Sequence, residues 1–278
     1  MNLINTILCL LLLQGHYISM TVTPDDLHPG SPFILNISGL VTDTSYNISF
    51  DKHVVSLSGV ETAHILLGVD LNHPYGNDQI KLYGSGGSYP ITITTIQIHS
   101  HSYPSQYLKL PPGFVELTPE ELARVIKEQH ELDQIFANYS TKPMWKGSFI
   151  MPVHGIITTP FGVKRFLNGE PRAPHTGIDI AGKLGTPIMA TNNGIVCFTG
   201  SLFFGGNSII IDHGQGIYSM YFHLDRYAVK EGQYVRKGQV IGYMGATGRV
   251  TGTSLHFGIR IVDSKIDPEL LFNLTKKL

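Results

Sequence analysis

Charge is scarce in this chain. Only 15% of its 278 residues are Asp, Glu, Lys or Arg, against roughly 25% in an average globular protein. The formal balance is −1, and no run of Lys or Arg occurs. A phosphate-binding footprint needs such a run, so no nucleic-acid partner is expected. Cysteine is limited to Cys9 and Cys197. Cys9 falls in an apolar leader, which would leave Cys197 alone and no disulfide possible. Cys197 sits in the apolar run Gly194-Ile195-Val196-Cys197-Phe198 and reads as a buried structural thiol. No apolar stretch is long enough to span a bilayer, so no membrane span is expected in the mature chain. Glycine, in contrast, is abundant: 30 residues, about 11%, against a usual ~7%. With 42% hydrophobic residues, the composition excludes disorder for the bulk of the chain and points to a turn-dense β protein. Its length suggests about two domains and a sizeable core.

Residues 7–13 read Ile-Leu-Cys-Leu-Leu-Leu-Leu and sit where the apolar segment of a signal peptide would sit. We therefore expect a signal peptide over residues 1–19, with Gly15 or Ser19 at its end, and export to the periplasm or cell envelope. Residues 20–100 hold short apolar runs such as Phe33-Ile34-Leu35-Asn36-Ile37 and Ile91-Thr92-Ile93-Thr94, separated by turn residues. That spacing predicts an Ig-like β-sandwich, read as an accessory domain because it lacks any cluster of potential chemistry. Residues 101–147 are expected to be a linker and a helix. Thr118-Pro119-Glu120-Glu121 carries a capping box with proline at the first helical position. Leu122, Val125, Ile126, Leu132 and Phe136 share one face of that helix. From residue 148 to 270 short strands and glycine turns resume, giving a mainly β chain with a second β domain.

Three segments of that domain offer metal donors. His175 and Asp179 are four residues apart, about 13 Å on a straight strand, so they share an ion only if the chain bends between them; Gly177 tolerates a bend. In Tyr218-Ser219-Met220-Tyr221-Phe222-His223, strand alternation puts Ser219, Tyr221 and His223 on one face. In the run from Ser254 to Ile261, Ser254, His256 and Arg260 lie opposite the apolar Leu255, Phe257, Ile259 and Ile261. Two imidazoles and a carboxylate leave a fourth tetrahedral position for water, which an ion acidifies. Thirteen histidines offer several such combinations, and spacing alone does not choose among them.

The wording of the segments does. His175-x-x-x-Asp179, Tyr221-Phe222-His223-Leu224 and Leu255-His256-Phe257 resemble, in order, the motifs of the lysostaphin/LytM-type zinc metallopeptidases. Phe161-Gly162, Asp212-His213-Gly214-Gln215-Gly216, the run from Val235 to Gly242 and Gly245-Ala246-Thr247-Gly248 are similar to that family as well. The likeness runs from about residue 149 to 261. It implies a β-sheet groove with zinc at its floor, one Zn(2+) per chain, and an endopeptidase acting on the peptide stems of peptidoglycan. By position, His175, Asp179 and His256 would bind zinc and His223 would be a catalytic histidine. The family's last motif is His-x-His, and Ser254 stands where its second catalytic histidine belongs. Two readings follow: a zinc endopeptidase, or a zinc-bound, catalytically impaired protein that binds peptidoglycan or regulates another wall hydrolase. Tyr221 and Arg260 are expected to face the groove and touch substrate.

Other features carry less. His213 reads as turn-fixing, His154 as a loop residue, and His99-Ser100-His101 as incidental. Arg165 and Arg172 flank the first motif and could attract carboxylates, though solvated surface is the common fate of arginines. The run from Val229 to Gln239 resembles the turn of biotinyl or lipoyl carrier modules, but no Met-Lys-Met or Asp-Lys-Ala acceptor is present. Gly252-Thr253-Ser254 lies in strand-like sequence and not at a strand–turn–helix elbow, which argues against a serine hydrolase.

Overall fold

The structure is a computed structural model that describes residues 17–51, 53–109, 117–138 and 140–276. The expected leader lies outside the described residues except for 17–19, and Cys9 lies outside them too. The chain divides into two compact units, one ending at His101 and one beginning at Ser102.

The first unit is the expected β-sandwich. One antiparallel sheet has the order β1 (Ser19–Thr23), β2 (Pro32–Ser38), β5 (Thr62–Gly68). The other has the order β4 (His53–Ser58), β3 (Ser45–Phe50), β6 (Gly76–Gly84), β7 (Pro90–Ile98). Alternation decides the faces. Tyr46, Ile48 and Phe50 of β3 meet Phe33, Leu35 and Ile37 of β2 in one core, while Ser45, Asn47 and Ser49 turn outward.

The second unit opens with β8 (Ser105–Leu108) and α1 (Pro119–Ala137), followed by β9 (Ile156–Thr159), β10 (Lys164–Leu167), β11 (Glu170–Arg172) and β12 (Ile178–Ala181). Next come β13 (Pro187–Met189), β14 (Gly194–Leu202), β15 (Gly206–Asp212), β16 (Ile217–Tyr227), β17 (Tyr234–Val235) and β18 (Val240–Met244). The unit ends with β19 (Ser254–Ile261), β20 (Ser264–Ile266) and α2 (Pro268–Thr275). The main sheet runs β17-β14-β15-β16-β19-β12-β9. Ile209, Ile210 and Ile211 of β15 are all buried, as in a strand covered on both faces.

Helix α1 begins as its sequence predicts: Thr118 Oγ1 accepts from the Glu121 N–H, and the Glu121 carboxylate accepts from the Thr118 N–H. Its apolar face differs from expectation. Leu122 is 49% and Ile126 60% exposed, and Phe136 is the buried residue of the helix. The reason is that, while Arg124 and Glu128 hold the first half by polar contacts to Ser201 O and the Phe203 N–H, apolar packing is concentrated in the C-terminal half. There Phe136 sits edge-on to Tyr218, among Phe198, Leu202 and Ile210. Helix α2 escapes the sequence reading because its eight residues are too few for periodicity, although Asp267 caps it and Pro268 opens it. Cys197 is partly buried; burial first, then the Asp212 charge, pushes its thiol up to about 12, so it stays protonated.

Beneath the sheet runs a closed polar chain. The His213 Nδ1–H donates to the Asn193 carbonyl (2.7 Å), so its Nε2 accepts from Ser219 Oγ (2.7 Å). The Ser219 and Tyr221 hydroxyls lie 3.0 Å apart, and the Tyr221 oxygen accepts from the Thr191 N–H (2.9 Å). Burial pulls the His213 imidazole down to about 4. Below pH 6.5 the unfolded chain takes up a proton there that the folded chain refuses until about pH 4, so stability falls across that interval. We predict that melting of the second unit drops by several degrees between pH 7 and 4.5, and that His213→Gln flattens the slope. An unchanged slope in the variant contradicts this assignment. We also predict that Phe136→Ala costs about 3 kcal/mol in a denaturant titration while Ile126→Ala stays below about 1 kcal/mol.

Candidate metal centre

Asp179 on β12 and His256 on β19 are direct antiparallel partners, which brings their Cα atoms to about 5 Å. His175 joins them from the turn before β12. Gly177 allows this by its size, since a Cβ there would overlap the Phe257 carbonyl and the His256 ring. The turn before β10 grips His175 on both sides: its N–H donates to Val163 O (2.9 Å), and its carbonyl accepts from the Gly162 N–H (2.8 Å).

Three ligand atoms converge. His175 Nε2 is 2.9 Å from Asp179 Oδ1 and 2.9 Å from His256 Nδ1, and the last two are 2.8 Å apart. The His175 Nδ1–H donates to the Pro160 carbonyl oxygen (2.8 Å), which can only accept. A neutral His175 therefore presents a bare Nε2 lone pair to a carboxylate oxygen. That contact needs a positive centre, and a bound cation supplies one while using all three donors. A tetrahedral zinc ion holds its ligands about 3.3 Å apart, a few tenths of an ångström wider than seen here. The donor set, two imidazoles and a carboxylate with an outer hydrogen bond fixing the His175 tautomer, fits zinc. Burial pushes the Asp179 carboxyl up, but the two imidazoles, as donors and positive charges when protonated, outweigh it and hold it well below the ordinary carboxylate range.

His223 reaches this place by a break in pattern. Between β15 and β16 the register steps from Ile209↔Tyr221 to Asn207↔Leu224, so β16 carries an extra residue there. His223 has φ +65°, a left-handed conformation costing about 1–2 kcal/mol in an ordinary residue. Its ring lies edge-on to His256, centroids 6.3 Å apart, and its Nδ1–H donates to the Thr247 carbonyl (2.9 Å). Nε2 is thereby left as a lone pair. Burial first of all pulls this imidazole below its ordinary range.

The structure corrects two expected groove residues. Tyr221 does not face the groove: it is fully buried on the opposite side of β16, its hydroxyl engaged by Thr191 and Ser219. Simple alternation misassigned it because the bulge lies between Tyr221 and His223. Arg260 shares the face of His256 but lies four residues along β19, about 13 Å, where α1 covers it. Its guanidinium sits 4.3 Å from the Phe136 ring centroid and bonds Val262 O and Asp263. Ser254 is half-buried, two residues before His256, with its N–H donating to Gly245 O (3.2 Å).

Further residues take their places around the cluster. Phe222, opposite His256 in register, stacks on its ring at 5.5 Å and 10°. Arg165 Nη2 lies 3.7 Å from Asp179 Oδ2. The carbonyls of Pro160 and Thr247 orient two imidazoles, and a main-chain oxygen leaves no mark in residue identity.

Residues 173–268 match Peptidase family M23. Among curated proteins, the chain is 40% identical over 125 residues to DD-carboxypeptidase/endopeptidase Mpg of Neisseria meningitidis, covering 44% of this chain and 29% of that protein. It is also 40% identical over 118 residues to Murein hydrolase activator NlpD of Escherichia coli, covering 42% of this chain and 29% of that protein. The matches thus span less than a third of those relatives' length. A solved structure from Pseudomonas aeruginosa assigned to peptidase M23 is similar over 89% of this chain and 95% of its own, with TM-score 0.70 and 27% identity.

We predict that Asp179→Ala loses the bound zinc after dialysis while Cys197→Ser keeps it, as read by plasma mass spectrometry. Zinc retained at full stoichiometry by Asp179→Ala would place the ion elsewhere.

Proposed function

Because residues 173–268 match Peptidase family M23, we propose that the chain is a zinc-dependent endopeptidase hydrolysing peptide cross-links of peptidoglycan. The convergence of His175 Nε2, Asp179 Oδ1 and His256 Nδ1 within 2.9 Å carries this reading. Zinc held by these residues supplies Lewis acidity to water and to the scissile carbonyl. The rest is done by the chain. His223, its Nδ1–H tied to Thr247 O, presents Nε2 to accept a proton from the attacking water and return it to the leaving amine. The depressed pKa keeps that nitrogen unprotonated at neutral pH. Phe222 stacks on His256 and keeps water off one side of the ligand cluster. Among the described residues no helix is long and apolar enough to cross a membrane. Peptidoglycan as substrate implies export to the periplasm or cell envelope.

A second reading is favoured by one observation. Ser254 stands where a second histidine would donate to the developing oxyanion, and a serine carries no positive charge. Loss of one such donor costs about 10²–10³-fold in rate, which would leave a zinc-bearing protein that binds the wall or regulates another hydrolase. The likeness to a murein hydrolase activator supports it. Muropeptide analysis of purified sacculi separates the two. We predict chelator-sensitive loss of cross-linked dimers, accelerated by Ser254→His. Intact cross-links with zinc bound, in both proteins, would establish the regulatory reading.

A further inference from the structure

The hairpin β10–β11 puts two arginines side by side. Its Asn168-Gly169 turn has positive φ at both residues, which fixes a two-residue loop and the register. In that register Arg165 lies directly opposite Arg172. Cross-strand partners share a face, and like charges so placed are destabilising. The hairpin is stiffened on the other side by β8, which pairs with β10 in parallel, and by Tyr107 stacked on Phe166 at 4.8 Å.

Among the described residues nothing answers these charges fully. The Arg165 side chain is only 34% exposed, yet among the described residues its guanidinium makes no hydrogen bond. Among those residues its one ion-pair contact is Asp179 Oδ2 at 3.7 Å, beyond hydrogen-bond reach, and Arg172 has none there. A rigid pair of planar cations, Arg165 half-buried and Arg172 exposed, is suited to a carboxylate, which a guanidinium grips with two parallel hydrogen bonds. The contact with Asp179 sets the pair at the edge of the metal cluster, beside where a peptide bond would react.

The structure assigns to Arg165 and Arg172 a carboxylate-binding subsite that selects peptides bearing a free carboxylate next to the scissile bond. This assignment rests on the peptidase reading and names what that site selects. The carboxylate is either the C-terminus of the peptide or a side chain; the chemistry is the same and the probes separate the two.

The test uses the full chain, zinc-loaded and zinc-free, in calorimetric titration with a synthetic branched peptide carrying one amide cross-link. The peptide is made in three forms: both carboxylates free, the C-terminal one amidated, and the side-chain one amidated. We expect one amidated form to bind about tenfold or more weakly than the free form, with or without zinc. The form that weakens identifies the carboxylate. Arg165→Gln and Arg172→Gln should bind all three forms alike, and Arg165→Lys should keep part of the discrimination. Arg172 is exposed, so its variant tests the subsite even if Arg165→Gln misfolds. Equal affinity for all forms in the unmodified protein, no binding of the free form, or discrimination surviving both glutamine variants overturns the subsite. A protein that discriminates but cleaves none of the forms keeps the subsite and sinks the peptidase reading; one that cleaves all forms equally does the reverse.

Discussion

A buried histidine with its proton committed elsewhere constrains everything around it. Because Pro160 takes the Nδ1–H of His175, Nε2 is the ring nitrogen left to face Asp179 and His256, and in the neutral ring it does so with a lone pair. The surrounding structure holds that confrontation in place. β12 and β19 set Asp179 and His256 in register, the 160–163 turn clasps the His175 backbone, and Gly177 clears the space between. A cation bound there would turn this crowding of lone pairs into attraction. A metal ion held by these three residues would stabilise the folded second unit by linkage.

The same economy explains the strain at His223. A regular strand would turn its ring into the core beside Tyr221, where His213 already fills the polar slot. The bulge and the left-handed backbone turn it toward the ligand cluster instead, and Thr247 then selects its tautomer. Backbone distortion of this kind gathers at functional sites and persists when neighbours over-determine it. The β15–β16 ladder on one side and the bond from His223 N–H to Gly205 O (2.7 Å) do so here.

What could be read from residue identity was local. The capping box of α1, the β-sandwich and the His175, Asp179 and His256 segments follow from short-range chemistry or from motif wording, and the structure draws those three side chains together. What could not be read depends on which element lies over which face. Tyr221 and His223 are two apart and alternation pairs them, but one inserted residue sends them to opposite sides. Arg260 has the right face and the wrong position, because Phe136 of α1 arrives from more than a hundred residues earlier. The stripe of α1 was visible, but not that its first turns stay in solvent. Arg165 reads as ordinary surface until the register of the hairpin is known.

The central claim is that zinc sits among two imidazoles and one carboxylate with room for water. X-ray absorption at the zinc edge, on the full chain loaded with one equivalent of zinc, tests it most directly. The account predicts four nitrogen or oxygen ligands at about 2.0–2.2 Å, two of them showing the outer-shell scattering of imidazole. A sulfur shell at about 2.3 Å, or scattering from three or more imidazoles, would contradict it.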